Sequence, residues 1–268
     1  MNRTKLTFYQ SVRFTVFCSI VGLLAACGPI RPPKDAYQDV HTLLKQMDQK
    51  RGPVESFRIA GSIDHVQEQR VRGKAFIFSK LPGNLRIDIL SPFGNTLSVL
   101  TADSDKFGLS DYKVGRFFTG KPIPCNVARF VGVALPPSDV IAILIGKVPL
   151  IEGTKELKWH PDGYYVVTIT KGNMVQTLHI GADKKTLPLQ MAQIKENNKI
   201  VFNVSFNMWR SVGDARVPYE IRIEMPRDKA ELFVQYDADG VEVNVDLPDD
   251  AWDQTVPAGA RLEQLVCD

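Results

Sequence analysis

The side chains that most often carry out chemistry are sparse in this sequence and lie far apart. Its four histidines are His41, His65, His160 and His179. None belongs to a His-Glu-x-x-His pattern, and the chain holds neither a Gly-x-Ser-x-Gly turn nor a phosphate-binding Gly-rich loop. A histidine with a distant serine and aspartate makes a catalytic triad only when the fold brings them together. The sequence therefore predicts no catalytic residue and favours binding over turnover.

Acidic residues near the C-terminus are the nearest approach to a metal site. Asp237, Asp239, Asp249 and Asp250 offer the oxygen ligands that calcium prefers, but their spacing lacks the loop of an EF-hand. Aspartate is also common in turns for its own backbone hydrogen bonds. We therefore predict no metal site and no cofactor.

Cysteine is the other reactive side chain, and the four cysteines differ in position. Cys18 lies in an N-terminal apolar stretch and Cys27 directly follows it, which leaves Cys125 and Cys267. Neither has a Cys-x-x-Cys partner, so a zinc or redox site is not expected. In an oxidising compartment these two can form a disulfide that ties the C-terminus to the middle of the chain. Two buried or free thiols are the alternative, and the sequence leaves both open.

The N-terminus has the pattern of an export signal. Arg3, Lys5 and Arg13 precede an apolar stretch over 14–24, which is shorter than the roughly 20 residues of a membrane-spanning helix. The stretch runs into Leu-Ala-Ala-Cys, ending at Cys27, and this resembles the lipobox of bacterial lipoproteins. The resemblance implies cleavage before Cys27 and acylation of its thiol and new amino group by fatty acids such as palmitate.

The residue after the lipobox indicates the destination. Gly28 stands where an aspartate retains such lipoproteins at the inner membrane of well-studied enterobacteria, so by analogy we expect a lipid anchor on the periplasmic side of the outer membrane. We divide the chain into a signal peptide over 1–26, a lipidated cysteine and Pro-rich tether over 27–34, and a single domain over 35–268. A tether this short keeps the domain near the membrane surface.

Net charge argues against one class of partner. The chain has 33 basic and 30 acidic residues. Removal of 1–26 takes away three basic and no acidic residues, so the mature chain is formally neutral. A neutral chain without a cluster of Lys and Arg is not expected to bind nucleic acid.

Apolar periodicity predicts a mainly β domain with a few helices. An amphipathic helix over 35–50, with Asp35 as its N-cap, is followed by strands in which apolar and polar residues alternate. Short strands at this spacing favour an antiparallel arrangement. Strands are predicted at 57–64, 71–79, from 85, from 95, 106–109, 115–119, 164–170, 174–180, 187–194, 199–209, 219–225, 231–236 and after 241. A final helical turn is predicted over 261–266.

Two short apolar helices interrupt the strands. Their predicted ranges are 126–133 and 140–145, the second capped by Ser138 and Asp139. They could form a lid over one mouth of the sheet or simply fill its core, and the sequence does not separate these two.

The hairpin over 85–101 is the most distinctive stretch. Its two strands are joined by Ser91, Pro92, Phe93 and Gly94, of which proline and glycine are typical turn residues. A large apolar side chain at a hairpin tip either folds back onto the domain or is held out to meet an apolar surface.

Three segments in this order resemble the LolB branch of the LolA/LolB lipoprotein-trafficking family. They are the hairpin with its Ser-Pro-Phe-Gly turn, the Lys-Pro-Ile-Pro sequence at 121–124, and the segment over 135–149 that ends in Gly-Lys-Val-Pro. LolB has an Asn-Pro-Leu-Gly-like turn, a Met-Pro-Ile-Pro-like sequence and a helix ending in Gly-x-Pro at these places. The resemblance covers about a third of the chain, and the last third has no counterpart motif.

The resemblance implies an open antiparallel half-barrel of eleven strands, with helices covering its concave face and a cavity for acyl chains. The implied function is that of an anchored acceptor, which takes acylated lipoproteins from a periplasmic LolA-like carrier and inserts them into the outer membrane. Phe93 would lead this insertion. The candidate cavity-lining residues are Ile87, Ile89, Leu97, Val99, Phe130, Val131, Ile141 and Leu144. The alternative is a structural or sensing envelope lipoprotein that binds a protein or glycan.

Overall fold

The structure is a computed structural model that describes residues 29–66, 70–131 and 134–266, without the side chains of 129–131. Its helices are α1 (Val40–Arg51), α2 (Pro124–Val131) and α3 (Pro137–Leu144). A short 3-10 helix spans Asp249–Trp252. The strands are β1 (Ser56–Val66), β2 (Arg70–Lys80), β3 (Asn84–Leu90), β4 (Thr96–Ala102), β5 (Phe107–Asp111), β6 (Arg116–Gly120), β7 (Thr154–His160), β8 (Tyr164–Lys171), β9 (Met174–Gly181), β10 (Leu189–Glu196), β11 (Lys199–Asn207), β12 (Arg210–Val212), β13 (Ala215–Val217), β14 (Glu220–Met225), β15 (Ala230–Val243) and β16 (Arg261–Gln264).

The strands form one long open sheet, as the alternation of apolar residues predicted. Its order is β16-β6-β5-β4-β3-β2-β1-β15-β14-β11-β10-β9-β8-β7, and β12 and β13 pair separately. Neighbouring strands are antiparallel except β16, which pairs with β6 in parallel. Within the described residues, the half-barrel therefore has fourteen strands where the family resemblance implied eleven.

The three helices cover the concave face of this sheet. Buried residues of each helix, among them Leu43, Val127 and Ile141, belong to the same hydrophobic cluster as the inward-facing residues of the strands. Trp209 packs so close to Gly146, just after α3, that a Cβ there would lie 2.3 Å from its ring. Gly146 also has φ +75°, a conformation that favours glycine. Both the backbone conformation and the close approach of Trp209 therefore favour glycine at position 146.

Several element boundaries differ from the sequence predictions. The N-cap of α1 is Asp39 rather than Asp35, because its Oδ2 accepts a 2.7 Å hydrogen bond from the Thr42 amide. Helix α3 begins at Pro137, after Pro136 as N-cap, with no side-chain cap from Ser138 or Asp139. Strand β7, which the predictions omitted, is the edge strand beyond β8.

The C-terminal segment forms a strand and a strap rather than the predicted helical turn. Strand β16 gains its backbone partners from β6 across the sheet edge, a long-range pairing that local periodicity does not reveal. Upstream of it, the Gln254 amide nitrogen lies 3.0 Å from Thr101 Oγ1 and its oxygen accepts from Ser110 Oγ at 2.8 Å. The segment thereby covers the outer face of β4 and β5.

Antiparallel connections place the turns alternately at two rims of the sheet. The rim that we call the Phe93 rim holds the turns over 91–95, 112–115, 172–173, 197–198 and 226–229. The opposite rim holds the turns over 81–83, 103–106, 161–163 and 182–188, and the end of β15.

The N-terminal residues that the structure describes are bound at the opposite rim. The Ile30 amide donates to the Pro161 carbonyl at 2.8 Å, and Trp159 Nε1 donates to the Ile30 carbonyl at 2.8 Å. Further along, Asp35 pairs with Lys184, and the Tyr37 amide donates to the Tyr165 hydroxyl at 3.2 Å. The segment over 30–37 therefore packs against the β7–β8 end of the sheet.

Candidate functional site

Phe93 stands at the tip of the β3–β4 hairpin with 91% of its surface exposed. The turn is closed by a 2.9 Å hydrogen bond from the Gly94 amide to the Ser91 carbonyl. The Ser91 amide donates in turn to the Asn95 carbonyl at 2.8 Å, which begins the ladder of the hairpin. The phenyl ring is thus held away from the domain on an ordered turn.

Local backbone requirements explain the sequence of this turn. Gly94 has φ +84°, and the residue at this point of such a hairpin needs the left-handed region that glycine adopts without a Cβ penalty. Pro92 is the second residue of the turn, and its ring fixes φ at the value that this position requires. Phe93 has no such backbone role, so its side chain is free to serve a contact outside the domain.

Most residues predicted to line a cavity lie in the packed core instead of facing open space. Ile87, Ile89, Ile141 and Leu144 are buried in the hydrophobic cluster, and Leu97 is half-buried against it. The side chains of Phe130 and Val131 lie outside the described part of the chain.

Val99 differs from the expectation because it faces the other side of the sheet. Its Cα partners are Asp88 on β3 and Ser110 on β5, whereas core residues such as Ile87 pair with Leu100. A register shift between Ile89 and Leu90 inserts one extra residue into β4. Such a β-bulge breaks strict alternation, so the sequence pattern assigned Val99 to the wrong face.

An apolar pocket of about 320 Å³ opens beside α3 near the Phe93 rim. Strands β9, β10, β11 and β14 contribute to it together with the connection after α3. Its lining residues are Leu135, Asp139, Ile143, Val148, Pro149, Leu150, Ile151, Gln176, Ile194, Val201, Phe202, Met225, Arg227 and Asp228. The cavity predictions missed this set; its sequence signal was the apolar segment after Gly146, which leads into β7.

Gln176 fixes one wall of this pocket. Its amide oxygen accepts from the Ile151 amide at 2.9 Å, and its nitrogen donates to the Pro149 carbonyl at 2.8 Å. Both bonds hold the connection over 148–151 against β9, so the wall is preorganised. Burial raises the pKa of Asp139 at the same pocket, with the Ser138 hydroxyl opposing this shift.

The cysteine predictions fall partly outside the described residues. Cys27 and Cys267 both lie there, whereas Cys125 is described and is disulfide-bonded. The end of β16 approaches the start of α2, since the Leu265 amide donates to the Thr119 carbonyl at 2.7 Å. The C-terminus is therefore near Cys125 two residues before Cys267.

Two of the four histidines stack against one tyrosine. The Tyr164 ring lies between His160 and His179, with ring centroids 4.4 Å and 4.7 Å away. Burial, and then the nearby His160, lower the pKa of His179. Across the described residues, no three His, Cys, Asp or Glu side chains are grouped so as to hold a metal ion. None of the described helices is both long and apolar enough to cross a membrane.

Sequence comparisons and structure comparisons give different answers. No family model and no curated protein matches the sequence. Among solved structures, a LolA superfamily protein from Nitrosomonas europaea matches with a TM-score of 0.54 and 13% identity, over 81% of this chain and 99% of that chain. The chain shares the fold of this protein.

Two further structures share this fold. A domain from Vibrio parahaemolyticus, described as that of an outer membrane lipoprotein-sorting protein, matches with a TM-score of 0.53 and 6% identity, over 79% of this chain and 94% of that chain. A DUF1329 family protein from Desulfovibrio piger matches with a TM-score of 0.52 and 13% identity, over 80% and 95%. The likeness is one of fold, and it covers the larger part of the chain.

Proposed function

We propose that the protein is an outer-membrane-anchored lipoprotein of LolB type, which accepts acylated lipoproteins and inserts them into the outer membrane. Cys27 carries the lipid anchor. The apolar pocket beside α3 takes acyl chain from a LolA-like carrier, and Phe93 leads the cargo into the leaflet. The observation that carries this proposal is Phe93 itself, a phenyl ring 91% exposed on an ordered turn.

The pocket supports acceptance of an apolar ligand. Its volume of about 320 Å³ falls at the lower end of the range for ligand pockets, and its lining is largely aliphatic. Asp139, Arg227 and Asp228 lie among the lining residues and offer a polar border for the end of a chain. Transfer of acyl chains between apolar environments requires no covalent step, which agrees with a sequence that predicts no catalytic residue.

The hairpin supports delivery. Burying a phenyl ring in a lipid interface contributes about 2 kcal/mol, enough to bias docking but not to anchor the domain. The lipid on Cys27 supplies the anchoring, so Phe93 needs only to make a reversible contact. A rigid turn keeps this ring exposed without loss of order in the hairpin.

The test separates acceptance from insertion. In the anchored protein, Phe93→Glu places a charge at the tip, while Phe93→Leu keeps an apolar side chain of the kind that LolB has there. We expect Phe93→Glu to retain uptake of an acylated lipoprotein from the carrier and to lose most of its transfer to membranes. Phe93→Leu should keep both steps. Each is measured with a labelled lipoprotein, by co-purification for uptake and by flotation for transfer.

Met208→Glu provides the matched control, since Met208 is exposed at the opposite rim, following β11. It adds the same charge to the surface and should leave transfer unchanged. Normal transfer by a folded Phe93→Glu protein would overturn the mechanism. Co-purification of a stoichiometric envelope protein without acylated cargo would favour the structural or sensing alternative.

A further inference from the structure

A second exposed hairpin tip stands beside Phe93. The turn between β5 and β6 presents Tyr112 and Val114, which are 50% and 55% exposed. It is ordered by Asp111, whose Oδ1 accepts from the Lys113 amide at 3.0 Å and the Val114 amide at 3.3 Å. Two apolar side chains are thus held outward on a turn that the fold has already fixed.

The two tips belong to one continuous surface. Strands β4 and β5 are direct neighbours, and such neighbours lie about 5 Å apart. The Tyr112 amide donates to the Leu97 carbonyl at 3.0 Å, which sets the second turn level with the start of β4. Phe93 precedes Leu97 by four residues and therefore projects further out. The surface is stepped, with Phe93 as its highest point.

Cationic side chains surround these tips. Arg70 and Arg72 share one carboxylate, that of Asp64, and Arg116 and Arg261 share that of Glu263.

Because two arginines share each of these carboxylates, both groups carry an excess of positive charge. Two more cations add to this excess. Lys113 is in the second turn and Lys74 is paired with Leu90 at the base of the first, and neither makes an ion pair with another described residue. The described residues around the two tips therefore carry more positive than negative charge.

The opposite rim has the reverse character. Its turns and the segment after β15 carry carboxylates, several of them at the tips. These aspartates are Asp103, Asp105, Asp162, Asp183, Asp249 and Asp250, and they outnumber the lysines of the same turns, which are Lys106, Lys184 and Lys185. The charge of the domain is thus divided between its two rims, although the mature chain as a whole is formally neutral.

We propose that the Phe93 and Tyr112–Val114 tips and the cations around them form one docking surface for an anionic phospholipid bilayer. Phe93 and Val114 enter the interface, while Lys74, Lys113 and the shared arginine pairs lie against the headgroups. Apolar tips flanked by Lys and Arg suit this occupant, because an anionic membrane attracts basic side chains that lie within about one Debye length of its surface. This inference rests on the proposed function and extends the membrane contact from one side chain to a rim.

Photo-crosslinking in the full lipid-anchored protein tests the surface. A benzoylphenylalanine replaces Val114 in one protein and Met208, at the opposite rim, in the control. Each protein is anchored in vesicles and mixed with acceptor vesicles of the same lipid, either phosphatidylcholine alone or with phosphatidylglycerol. Only crosslinks to labelled phospholipid of the acceptor vesicles are counted, because the bound N-terminal segment keeps the opposite rim beside the vesicle that carries the protein. We expect crosslinks from position 114 and not from 208, rising about fivefold with phosphatidylglycerol and falling as salt is added.

A charge reversal tests the electrostatic part. Lys113→Glu should reduce crosslinking from position 114 in the anionic vesicles by about fivefold. Lys106→Glu makes the same change in the exposed turn at the opposite rim and should have no effect. Equal crosslinking in neutral and anionic vesicles, equal crosslinking from 114 and 208, or crosslinks from 114 to a protein in cells would overturn the proposal.

The two proposals fail in different ways. If Phe93→Glu blocks cargo transfer while position 114 never reaches lipid, the proposed function stands and the docking surface is wrong. If position 114 crosslinks to anionic lipid while Phe93→Glu transfers cargo normally, the docking surface stands and lipoprotein insertion is wrong.

Discussion

Tyr236 connects the sheet to the helices through one buried hydrogen bond. Its hydroxyl donates to the Leu144 carbonyl at 2.7 Å. Leu144 ends α3, where backbone carbonyls lack partners within the helix. Burial raises the pKa of Tyr236 far above its ordinary value, because a phenolate there would be unsolvated. The neutral phenol is therefore part of what holds α3 on the concave face.

We expect Tyr236→Phe to lower the free energy of unfolding by about 1–2 kcal/mol, since the Leu144 carbonyl would remain buried without its donor. Tyr112→Phe is the matched control, because Tyr112 is half exposed at a turn and should be neutral. Urea denaturation measures both. Equal midpoints for Tyr236→Phe and the unsubstituted protein would mean that the bond adds nothing to stability.

The same residue predicts a response to high pH. Because the folded pKa of Tyr236 is raised, its contribution is fully present below the unfolded value of about 10 and is lost as pH rises above that value toward the folded pKa. Tyr236→Phe should therefore lose less stability than the unsubstituted protein above about pH 10. Urea denaturation midpoints of both proteins, measured across this pH range at fixed salt, show how steeply stability falls with pH.

Single residues also show where sequence reasoning succeeds. Pro92 and Gly94 predicted the turn because their backbone preferences are local, and the structure has that turn. Val99 was assigned to the wrong face because a bulge depends on pairing with β3, which no local pattern encodes. The sequence left open whether Phe93 folds back onto the domain or is held outward, and only the surrounding fold decides this.

Among the elements, the C-terminal segment is the one most dependent on distant contacts. It contributes β16 at one edge of the sheet and the Gln254 strap over β4 and β5. Its sequence has little periodicity, so the predicted helical turn was wrong while the partners that define the strand lay more than a hundred residues earlier. The long alternating strands, by contrast, were predicted correctly because their pattern is set by one wet and one dry face.

We predict that Cys267 is the disulfide partner of Cys125. Intact protein treated with an alkylating agent should show no added mass on either cysteine before reduction and two modified cysteines after it. Cys267→Ser should free Cys125 and loosen β16, because the end of the chain would no longer be tied beside α2. Hydrogen exchange of the β6 amides should then rise, whereas exchange in β9 should not.

A reactive Cys125 in the non-reduced wild-type protein would contradict this assignment. The other possible partners, Cys18 and Cys27, lie in the signal peptide and at the proposed lipidation site. A bridge to either is incompatible with the cleavage and acylation that we propose.

At the scale of the whole molecule, the open antiparallel sheet could be predicted from the sequence. The differences between its two rims could not. Alternation predicted most of the strands, although not β7, and the resemblance implied the open half-barrel. The position of the N-terminal segment, the apolar pocket and the division of charge between the rims arise only when distant turns are brought to one edge. Each depends on the order of strands in the sheet.

We predict that the contacts of Ile30 control which rim can reach the anchoring membrane. Trp159→Phe removes the Nε1 donor to the Ile30 carbonyl while keeping an aromatic ring in place. With the crosslinker at position 114, this substitution should increase crosslinks to the vesicle that carries the protein. Trp252→Phe is the control, because Trp252 is buried in the C-terminal segment, away from β7. No change with Trp159→Phe would mean that these contacts do not limit the tether.

The reach of the chain explains this expectation. While Ile30 stays bound at the opposite rim, Cys27 can lie only about 10 Å from it. The rims are separated by the length of β1, which has 11 residues and therefore spans about 35 Å. Phe93 then points away from the protein's own membrane, toward a carrier arriving from the periplasm. Once the segment is released, the chain from Cys27 to Val40 can extend to about 43 Å, which is enough for the domain to turn over. The tether would thus act as a timing element, holding the domain ready to receive cargo while bound and allowing delivery once it is released.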